Sequence, residues 1–261
     1  AVSPFDIKRA KVLEKHVDLL VIDVAHFHNK NVIESTKKLI KETDIEIIVG
    51  NIGTKEAMTD IITNLEGISG VRVGVGSGSI CTTSDVTKAG SPTLYATCLV
   101  SEAIYENKSK ISVISDGGIR HSGHAALAFS LGASAVMMGN VFARCKESLG
   151  ELVTIGDRYY KKYRGMGSIE ARQKRFTLDR YNTPSKELAE GVEGLVPYTG
   201  DTEQAVNKLV SGLKASMGYA GASNISDMWN KTKLARVSQL GGQELKPHNI
   251  LLPNQNEKTE I

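Results

Sequence analysis

The chain has 261 residues, a formal net charge of +3 and a hydrophobic share of 41%. This length accommodates one large α/β domain or two small ones, and the composition is typical of a globular chain with a sizeable core. The small net charge gives no electrostatic reason to expect a nucleic-acid or membrane partner. No apolar run approaches the roughly 18–20 residues that span a bilayer.

The cysteines indicate a reducing, cytoplasmic compartment. Cys81, Cys98 and Cys145 are an odd number, widely spaced and without a CxxC pair, which excludes a zinc ribbon and a disulfide framework. Cys98 and Cys145 lie in helical, apolar contexts and are predicted to be packing residues. Cys81 ends a Gly/Ser/Thr loop, a poor place to bury a thiol, so a reactive role is favoured over a structural one.

Short aliphatic runs alternate with helical patterns through the first half of the chain. This alternation predicts a parallel sheet covered by helices, with strands buried on both faces. The predicted strands are Leu19–Asp23, Glu46–Gly50, Val71–Val75, Ile111–Ser115 and Ala135–Met138. The predicted helices are Val32–Glu42, Lys55–Leu65, Thr93–Glu106 and Gly123–Leu131.

The strand count bears on the architecture. Five strands are clear, and Ala1-Val2 is the candidate stub of another. Because a closed parallel barrel needs eight strands, either the sheet is open or the first units of a barrel are missing from this chain.

After Gly139 the alternation ends. Residues 147–200 are rich in Gly, Arg, Lys and Tyr, with little apolar periodicity, and are predicted to be a mobile flap. They are either a solvated basic loop, with a helix over Ile169–Arg175, or a lid that closes over an anionic ligand. Asp201 is the predicted N-cap of a later helix, and the polar tail Pro253–Ile261 is predicted to be frayed. Basic residues of the segment include Lys161, Lys162, Arg164, Arg172, Lys174, Arg175 and Arg180.

Sites in parallel α/β folds lie where strands end. Asp23 ends the first predicted strand, and Asn51, the loop 74–83, Asp116 and Gly139 lie at the ends of the next four, so all are expected at one rim.

Three glycine-containing segments at this rim favour a phosphorylated ligand. The loop Gly74–Thr83 lacks the third glycine of a dinucleotide fingerprint, but its backbone groups suit a phosphate or a cation. Cys81 ends this loop just before a predicted helix start, where a thiolate is favoured. Gly117-Gly118 and Gly139-Asn140 serve either tight turns or phosphate binding, and together they favour phosphate.

Two acids and two histidines each have two interpretations. Asp116 and Asp23 either bond a sugar diol or cap the following helix. His26 and His28 are a possible metal pair, but satisfied or solvated histidines are favoured.

Six segments together resemble the catalytic barrel of IMP dehydrogenase, in the superfamily that also contains GMP reductase. The similarity runs from about Asp18 to His248, and Val210–Ala222 also fits. The segments are VGVGSGSICTT at 73–83, SDGGIR at 115–120, ASAVMMGN at 133–140, KYRGMGS at 162–168, DRY at 179–181 and EGVEGLVPY at 190–198.

The resemblance implies a single (β/α)8 TIM-barrel domain over residues 1–261, with a flap after the last strand. The chain begins at about the third strand of that barrel, without the first two strands and the CBS module that family members insert after them. We therefore expect a partial record of a longer protein, or one half of a split barrel. The resemblance also implies a homotetramer.

The resemblance further implies oxidation of IMP to XMP with NAD+. Cys81 attacks C2 of the purine, hydride leaves for the nicotinamide, and water then hydrolyses the covalent thioimidate. Thr83 assists near the thiol. Arg180, helped by Tyr181, is the implied base, and the Arg-Tyr pair distinguishes the dehydrogenases from the reductases.

The binding residues are likewise implied by position. Asn140 stands where many family members have Ser. The implied phosphate contacts are Ser79, Gly118, Gly139, Asn140 and Tyr163. Asp116 is implied to bind the ribose, and Met166, Gly167 and Glu190 the base. The implied NAD+ contacts are Asp23, Asn51 and Gly74. K+ falls to backbone carbonyls of Gly76, Gly78 and Cys81, with Glu244, Leu245 and Lys246 of a neighbouring subunit.

Three alternatives stay open at this point. A GMP reductase has the same fold and the opposite redox direction. A catalytically silent paralogue would bind nucleotide without turnover. A generic phosphosugar enzyme would leave the position of Cys81 unexplained.

Overall fold

The computed structural model describes residues 1–169, 171 and 189–248. Its main sheet has five parallel strands, paired in the order in which they occur along the chain. This order, without a reversal, is that of a (β/α)8 barrel rather than of a doubly wound sheet, and the predicted α/β class is confirmed. The strands are β1 (Leu19–Asp23), β2 (Glu46–Ile52), β3 (Ile68–Val73), β4 (Ser112–Asp116) and β5 (Ala135–Met137).

Helices precede, connect and follow these strands. Side-chain caps begin several of them, because an Asx or Thr oxygen satisfies the free N–H groups of a first turn. Asn29 accepts from the N–H of Asn31 and Thr54 from that of Ala57. The helices are α1 (Ile7–Leu13), α2 (Lys30–Lys41), α3 (Lys55–Asn64), α4 (Thr83–Thr87), α5 (Thr93–Glu106), α6 (Ser122–Ser130) and α7 (Asn140–Ala143).

The predicted elements exist, with small boundary errors. β1 and α5 match their predictions residue for residue. β3 was expected at Val71–Val75 but starts earlier, because Gly70 pairs within the sheet although it interrupts the apolar run. It ends at Val73 because Gly74 takes a φ of +146°, outside the extended region.

Burial alternates along the strands, contrary to the expected burial on both faces. Leu20 and Ile22 of β1 are buried beneath the helices, whereas Val21 between them is half-buried. The described residues leave the second face of the sheet only partly covered. Val2 forms a parallel bridge with Ile22, so the opening residues do continue the sheet, as expected of a strand stub.

A second sheet of three antiparallel strands lies within the segment 147–200, and sequence reasoning missed it. Its strands are β6 (Leu152–Ile155), β7 (Arg158–Arg164) and β8 (Glu193–Pro197). Lys161 of β7 is 5% exposed, and its ammonium donates to the carbonyls of Lys146 at 3.2 Å and Ser148 at 2.6 Å. The basic alternation that looked like a solvated loop is therefore a strand, and one of its cations is buried.

Three helices complete the described chain: α8 (Thr202–Ala220), α9 (Ile225–Lys231) and α10 (Gln239–Glu244). Asp201 caps α8 as predicted, accepting from the N–H of Gln204 at 2.8 Å. α9 inserts Met228 into the core, and the Trp229 indole donates to the carbonyl of Ala133 at 3.1 Å. Among the residues that the structure describes, no helix has the length and apolar character to cross a membrane.

Some expectations fall on other residues. The tail Pro253–Ile261 and most of the predicted helix Ile169–Arg175 lie outside the described residues.

Candidate active site

An arginine joins two acids at the carboxyl end of the main sheet. Arg72 Nη1 lies 2.9 Å from Asp23 Oδ1, and Arg72 Nη2 lies 2.7 Å from Asp116 Oδ2. Burial alone would lower the pKa of Arg72, but attraction to the two carboxylates outweighs it and raises the pKa. Sequence reasoning missed Arg72, although a lone arginine in an apolar strand is a visible sign of a buried charge pair.

Asn51 connects Asp116, the second of these acids, to the loop 74–83 that carries Cys81. Its Nδ2 donates to Asp116 Oδ2 at 2.9 Å and to the carbonyl of Gly74 at 2.8 Å. The predicted rim residues therefore do meet. The helix-cap interpretation of both acids is wrong, because Asn29 caps α2 and His121 caps α6.

The Cys81 sulfur begins a short chain of polar groups. The thiol donates to Thr83 Oγ1 at 3.3 Å, and the Thr83 hydroxyl donates to Glu190 Oε2 at 3.0 Å. Glu190 is 9% exposed, so its carboxylate faces the interior. Cys81 itself is half-buried and lies directly before Thr82, the N-cap of α4, where the loop was expected to meet a helix.

The backbone around Cys81 is hydrogen-bonded to residues 189–192, which we call the return strip. On one side the strip bonds the cysteine loop, with Thr82 N–H donating to Glu190 and Val192 N–H donating to Ile80. On the other side Gly165 N–H donates to Val192, and Glu190 N–H donates to Gly167. The chain on either side of residues 172–188 is thus fixed beside the thiol.

Glycines permit this close packing. A Cβ at Gly165 would lie 2.9 Å from the carbonyl oxygen of Ile80, and one at Gly191 would lie 3.2 Å from it. Larger residues at either position would push the return strip away from Cys81.

The predicted phosphate residues form a second cluster. Asn140 Nδ2 donates to Ser79 Oγ at 3.2 Å, and the Tyr163 hydroxyl also bonds Ser79. A Cβ at Gly139 would lie 2.6 Å from the Tyr163 hydroxyl oxygen. Burial raises the pKa of Tyr163, and the hydrogen bond with Ser79 opposes the shift without cancelling it. The phenol therefore keeps its proton as a donor.

Gly117 and Gly118 differ from Gly139. Their φ angles are +91° and +72°, so they do serve a tight turn, which favours the simpler of the two interpretations for this loop. Gly117 also packs against the cysteine loop, since a Cβ there would lie 2.5 Å from Ser77 Oγ.

The other predicted site residues are placed as follows. Gly167 contacts Glu190, and Met166 beside it is 37% exposed. Glu244, Leu245 and Lys246 lie at the end of α10. Gly76 has a φ of +77°, and the carbonyl of Gly78 accepts from Cys81 N–H at 3.0 Å. Arg180 and Tyr181 lie outside the described residues.

The remaining predictions concern Cys98 and Cys145, expected to be packing residues, and the histidines His26 and His28. Cys145 is buried as predicted, but Cys98 is only half-buried and donates to Glu102 Oε1 at 3.7 Å. The predicted packing role of Cys98 is therefore only partly met, because its side chain is not fully covered. His28 pairs with Asp60 at 2.7 Å, and the described residues contain no cluster of three metal-ligating side chains.

Comparisons with known proteins agree with the motifs. The model of the IMP dehydrogenase / GMP reductase domain matches residues 1–248. Inosine-5'-monophosphate dehydrogenase of Korarchaeum cryptofilum is 55% identical over 250 residues, covering 96% of this chain and 52% of that protein. The enzyme of that name from Methanocaldococcus jannaschii is 43% identical over 269 residues, covering 98% of this chain and 53% of that protein.

A solved structure extends the comparison to the fold. The crystal structure of a GMP reductase variant from Trypanosoma brucei, in complex with guanosine 5'-monophosphate, superposes with a TM-score of 0.85 at 34% identity. The match covers 96% of this chain and 51% of that one. The chain spans about half the length of the curated relatives it matches. By its motifs, its family-model match and its identity to these relatives, the chain belongs to the IMP dehydrogenase / GMP reductase family.

Proposed function

We propose that the protein oxidises IMP to XMP with NAD+ through a covalent intermediate on Cys81. The observation that carries the proposal is the connected arrangement of Cys81, Thr83 and Glu190 beside the Ser79–Tyr163 cluster. The loop 74–83 carries Ser79 and Cys81, and Glu190, Asn140 and Tyr163 reach it from other segments, so the proposed nucleophile, its proton path and the proposed phosphate donors lie close together. The names of the relatives supply the substrate, and NAD+ is the cofactor that the family resemblance implies.

The first step is attack of the Cys81 sulfur on C2 of the purine. As the S–C2 bond forms, the thiol proton passes to Thr83 Oγ1 and the Thr83 proton passes to Glu190. Hydride leaves C2 and leaves a thioimidate between Cys81 and the purine. NAD+, when bound, accepts this hydride.

The second step returns the enzyme to its starting state. Water adds to C2, the C2–S bond breaks, and the sulfur recovers a proton by the reverse of the same path. The balanced reaction is IMP, NAD+ and water giving XMP, NADH and a proton. Arg180 and Tyr181 are proposed to activate the water. Gly165 precedes these two residues in the chain and the return strip follows them. Both are hydrogen-bonded close to Cys81, which supports this role.

Binding falls to three groups. Ser79, Asn140 and Tyr163, with the backbone of Gly118 and Gly139, are proposed to hold the phosphate. Asp116 is proposed to hold the IMP ribose, and Met166, Gly167 and Glu190 the base.

The cofactor is proposed to lie on the other side of the same rim. Asp23 is about one-fifth exposed while paired with Arg72, and a carboxylate oxygen accepts more than one hydrogen bond, so it fits a ribose diol. Asn51 and Gly74 would lie between the nicotinamide and the thiol.

The cation site and assembly complete the proposal. Backbone carbonyls of Gly76, Gly78 and Cys81, all within the loop 74–83, are proposed to bind K+, and backbone carbonyls of Glu244, Leu245 and Lys246 of a neighbouring subunit would complete the set. A homotetramer in the cytoplasm and a mobile flap within residues 147–200 are parts of the same proposal.

A second candidate function is GMP reduction, favoured by the similarity to the GMP reductase structure. The two are separated by incubating the purified protein with IMP and NAD+ or with GMP and NADPH. The proposal expects NADH formation with IMP, loss of this activity in Cys81→Ala, and a purine nucleotide mass on the Cys81 peptide after acid quench. NADPH consumption with GMP, or a mass on another cysteine, would contradict it.

A further inference from the structure

We infer that Thr93 is a positioning residue that sets the separation between the nucleophile loop and the ribose-binding acid. The inference rests on the proposed function, because it concerns the same site. Thr93 is the first residue of α5 and is 6% exposed, and it matches none of the roles that the family resemblance implies.

Its hydroxyl joins two loops from different strands. Thr93 Oγ1 lies 2.6 Å from Ser77 Oγ in the cysteine loop and 3.4 Å from the carbonyl oxygen of Asp116. Ser77 Oγ also lies 3.4 Å from that carbonyl oxygen. Because each hydroxyl has one proton, Thr93 donates to Ser77 at the shorter distance and Ser77 donates to the Asp116 carbonyl, so the three oxygens form a triangle held by these two bonds. We call Ser77, Thr93 and the Asp116 carbonyl the hydroxyl triangle.

Glycines on both loops allow the backbones to approach closely at the triangle. A Cβ at Gly74 would lie 2.0 Å from the Asp116 carbonyl oxygen, and one at Gly117 would lie 2.5 Å from Ser77 Oγ. Both glycines have positive φ angles, +146° and +91°. The two loops are therefore in direct backbone contact, and the hydroxyls of Thr93 and Ser77 supply the polar bonds at that contact.

The triangle lies between the two ends of the substrate site. Ser77 is two residues from Ser79 and four from Cys81, whereas Asp116 carries the carboxylate that faces Asn51 and Arg72. A nucleotide held by its phosphate and ribose presents C2 to the thiol only if these two loops keep one spacing. Loss of the triangle should therefore impair productive binding while the thiol and its proton path stay in place.

The test compares three variants of the purified protein. Thr93→Val keeps the side-chain shape and removes the hydroxyl donor. Thr93→Ser keeps the hydroxyl, and Thr97→Val is the matched control. Thr97 is one turn later on α5, fully buried, and its hydroxyl bonds Ser115 at 2.9 Å without touching the cysteine loop. We expect Thr93→Val to raise KM for IMP about tenfold with kcat changed less, as for loss of one or two hydrogen bonds. Thr93→Ser should stay within about twofold of the parent, and Thr97→Val should lower Tm without changing KM.

A second measurement separates this inference from the proposed function. Backbone hydrogen exchange over residues 74–83 needs no turnover, and it should accelerate in Thr93→Val, recover in Thr93→Ser and stay unchanged in Thr97→Val. If the parent protein does not oxidise IMP, the proposed function fails while this measurement still tests the triangle. Unchanged exchange in Thr93→Val, or an equal rise of KM in Thr97→Val, would overturn the inference.

Discussion

The Cys81 sulfur lies 3.3 Å from the hydroxyl oxygen of Thr83, close enough for the thiol to donate its proton directly. Because the same hydroxyl donates onward to Glu190, the pair forms the first half of a route into a buried carboxylate. The contribution of this proton route to the reaction rate can be measured.

Replacing Thr83 with Val removes the central hydroxyl and keeps the side-chain shape. We expect kcat for IMP oxidation to fall about 100-fold, the lower end for loss of a positioned proton-transfer group. KM should change little, since Thr83 is not proposed to bind the nucleotide. Thr83→Ser keeps the hydroxyl and should recover most of the rate. A valine variant within twofold of the parent would show that the proton takes another path.

The three thiols should differ in reactivity toward iodoacetamide. Burial, followed by the nearby charge of Glu102, raises the pKa of Cys98, so its thiolate is scarce at neutral pH and its labelling should increase only in more alkaline solution. Cys145 is buried and should label slowest. IMP should protect Cys81 and leave Cys98 unchanged, as read by peptide mass mapping. Equal protection of Cys98 would mean that the nucleotide binds elsewhere or closes the whole domain.

Gly139 and Tyr163 should behave as a coupled pair. Gly139→Ala places a Cβ 2.6 Å from the phenolic oxygen, closer than a van der Waals contact allows, so the ring must move. We expect KM for IMP to rise about tenfold, comparable to loss of one hydrogen bond to a charged group. Tyr163→Phe removes the oxygen and should cause a similar rise on its own.

The double variant supplies the decisive comparison. Since the clash disappears with the hydroxyl, Gly139→Ala should cost much less in a Tyr163→Phe background, which a double-mutant cycle measures. Strictly additive effects on KM would show that the two residues act independently.

Arg72 should make a large contribution to stability. Its side chain is 12% exposed and holds two carboxylates that are 21% and 18% exposed. Arg72→Met leaves both acids without their cation, and we expect a loss of about 2–4 kcal/mol in the free energy of unfolding at pH 7, somewhat below the cost for a fully buried pair. The exposed pair of Lys11 and Glu42 offers the control, and Lys11→Met should leave the denaturation midpoint nearly unchanged.

The charge of Arg72 should not vary with pH. Attraction to the two carboxylates outweighs the opposing effect of burial and raises the pKa of Arg72, so its guanidinium stays charged at every working pH.

Local patterns in the sequence predicted the main sheet and the residues at its rim, whereas Tyr163 and Glu190 were assigned through the family resemblance. Apolar runs and turn residues located β1 and α5 to the residue, and strand ends located Asp23, Asn51, Cys81 and Asp116. Arg72 escaped because its partners lie 49 and 44 positions away, 72 minus 23 and 116 minus 72, and only folding brings them together.

The second sheet escaped for a different reason. In β7 the alternation that normally indicates a strand is carried by Lys, Tyr and Arg, so its hydrophobic pattern is weak. The strand is held by ladder bonds to β6 and β8 and by the buried ammonium of Lys161, neither of which a hydropathy pattern detects. Contacts such as the Thr93–Ser77 bond are equally invisible to it.

The buried ammonium of Lys161 offers a natural chemical reporter for this part of the molecule. Its amine is covered by the turn 146–148, so an acylating reagent reaches it only when β7 separates from that turn. Tyr163 lies two residues further along the same strand. The acylation rate of this one amine therefore follows how often the strand that bears the phosphate-cluster tyrosine comes loose, without any engineered label.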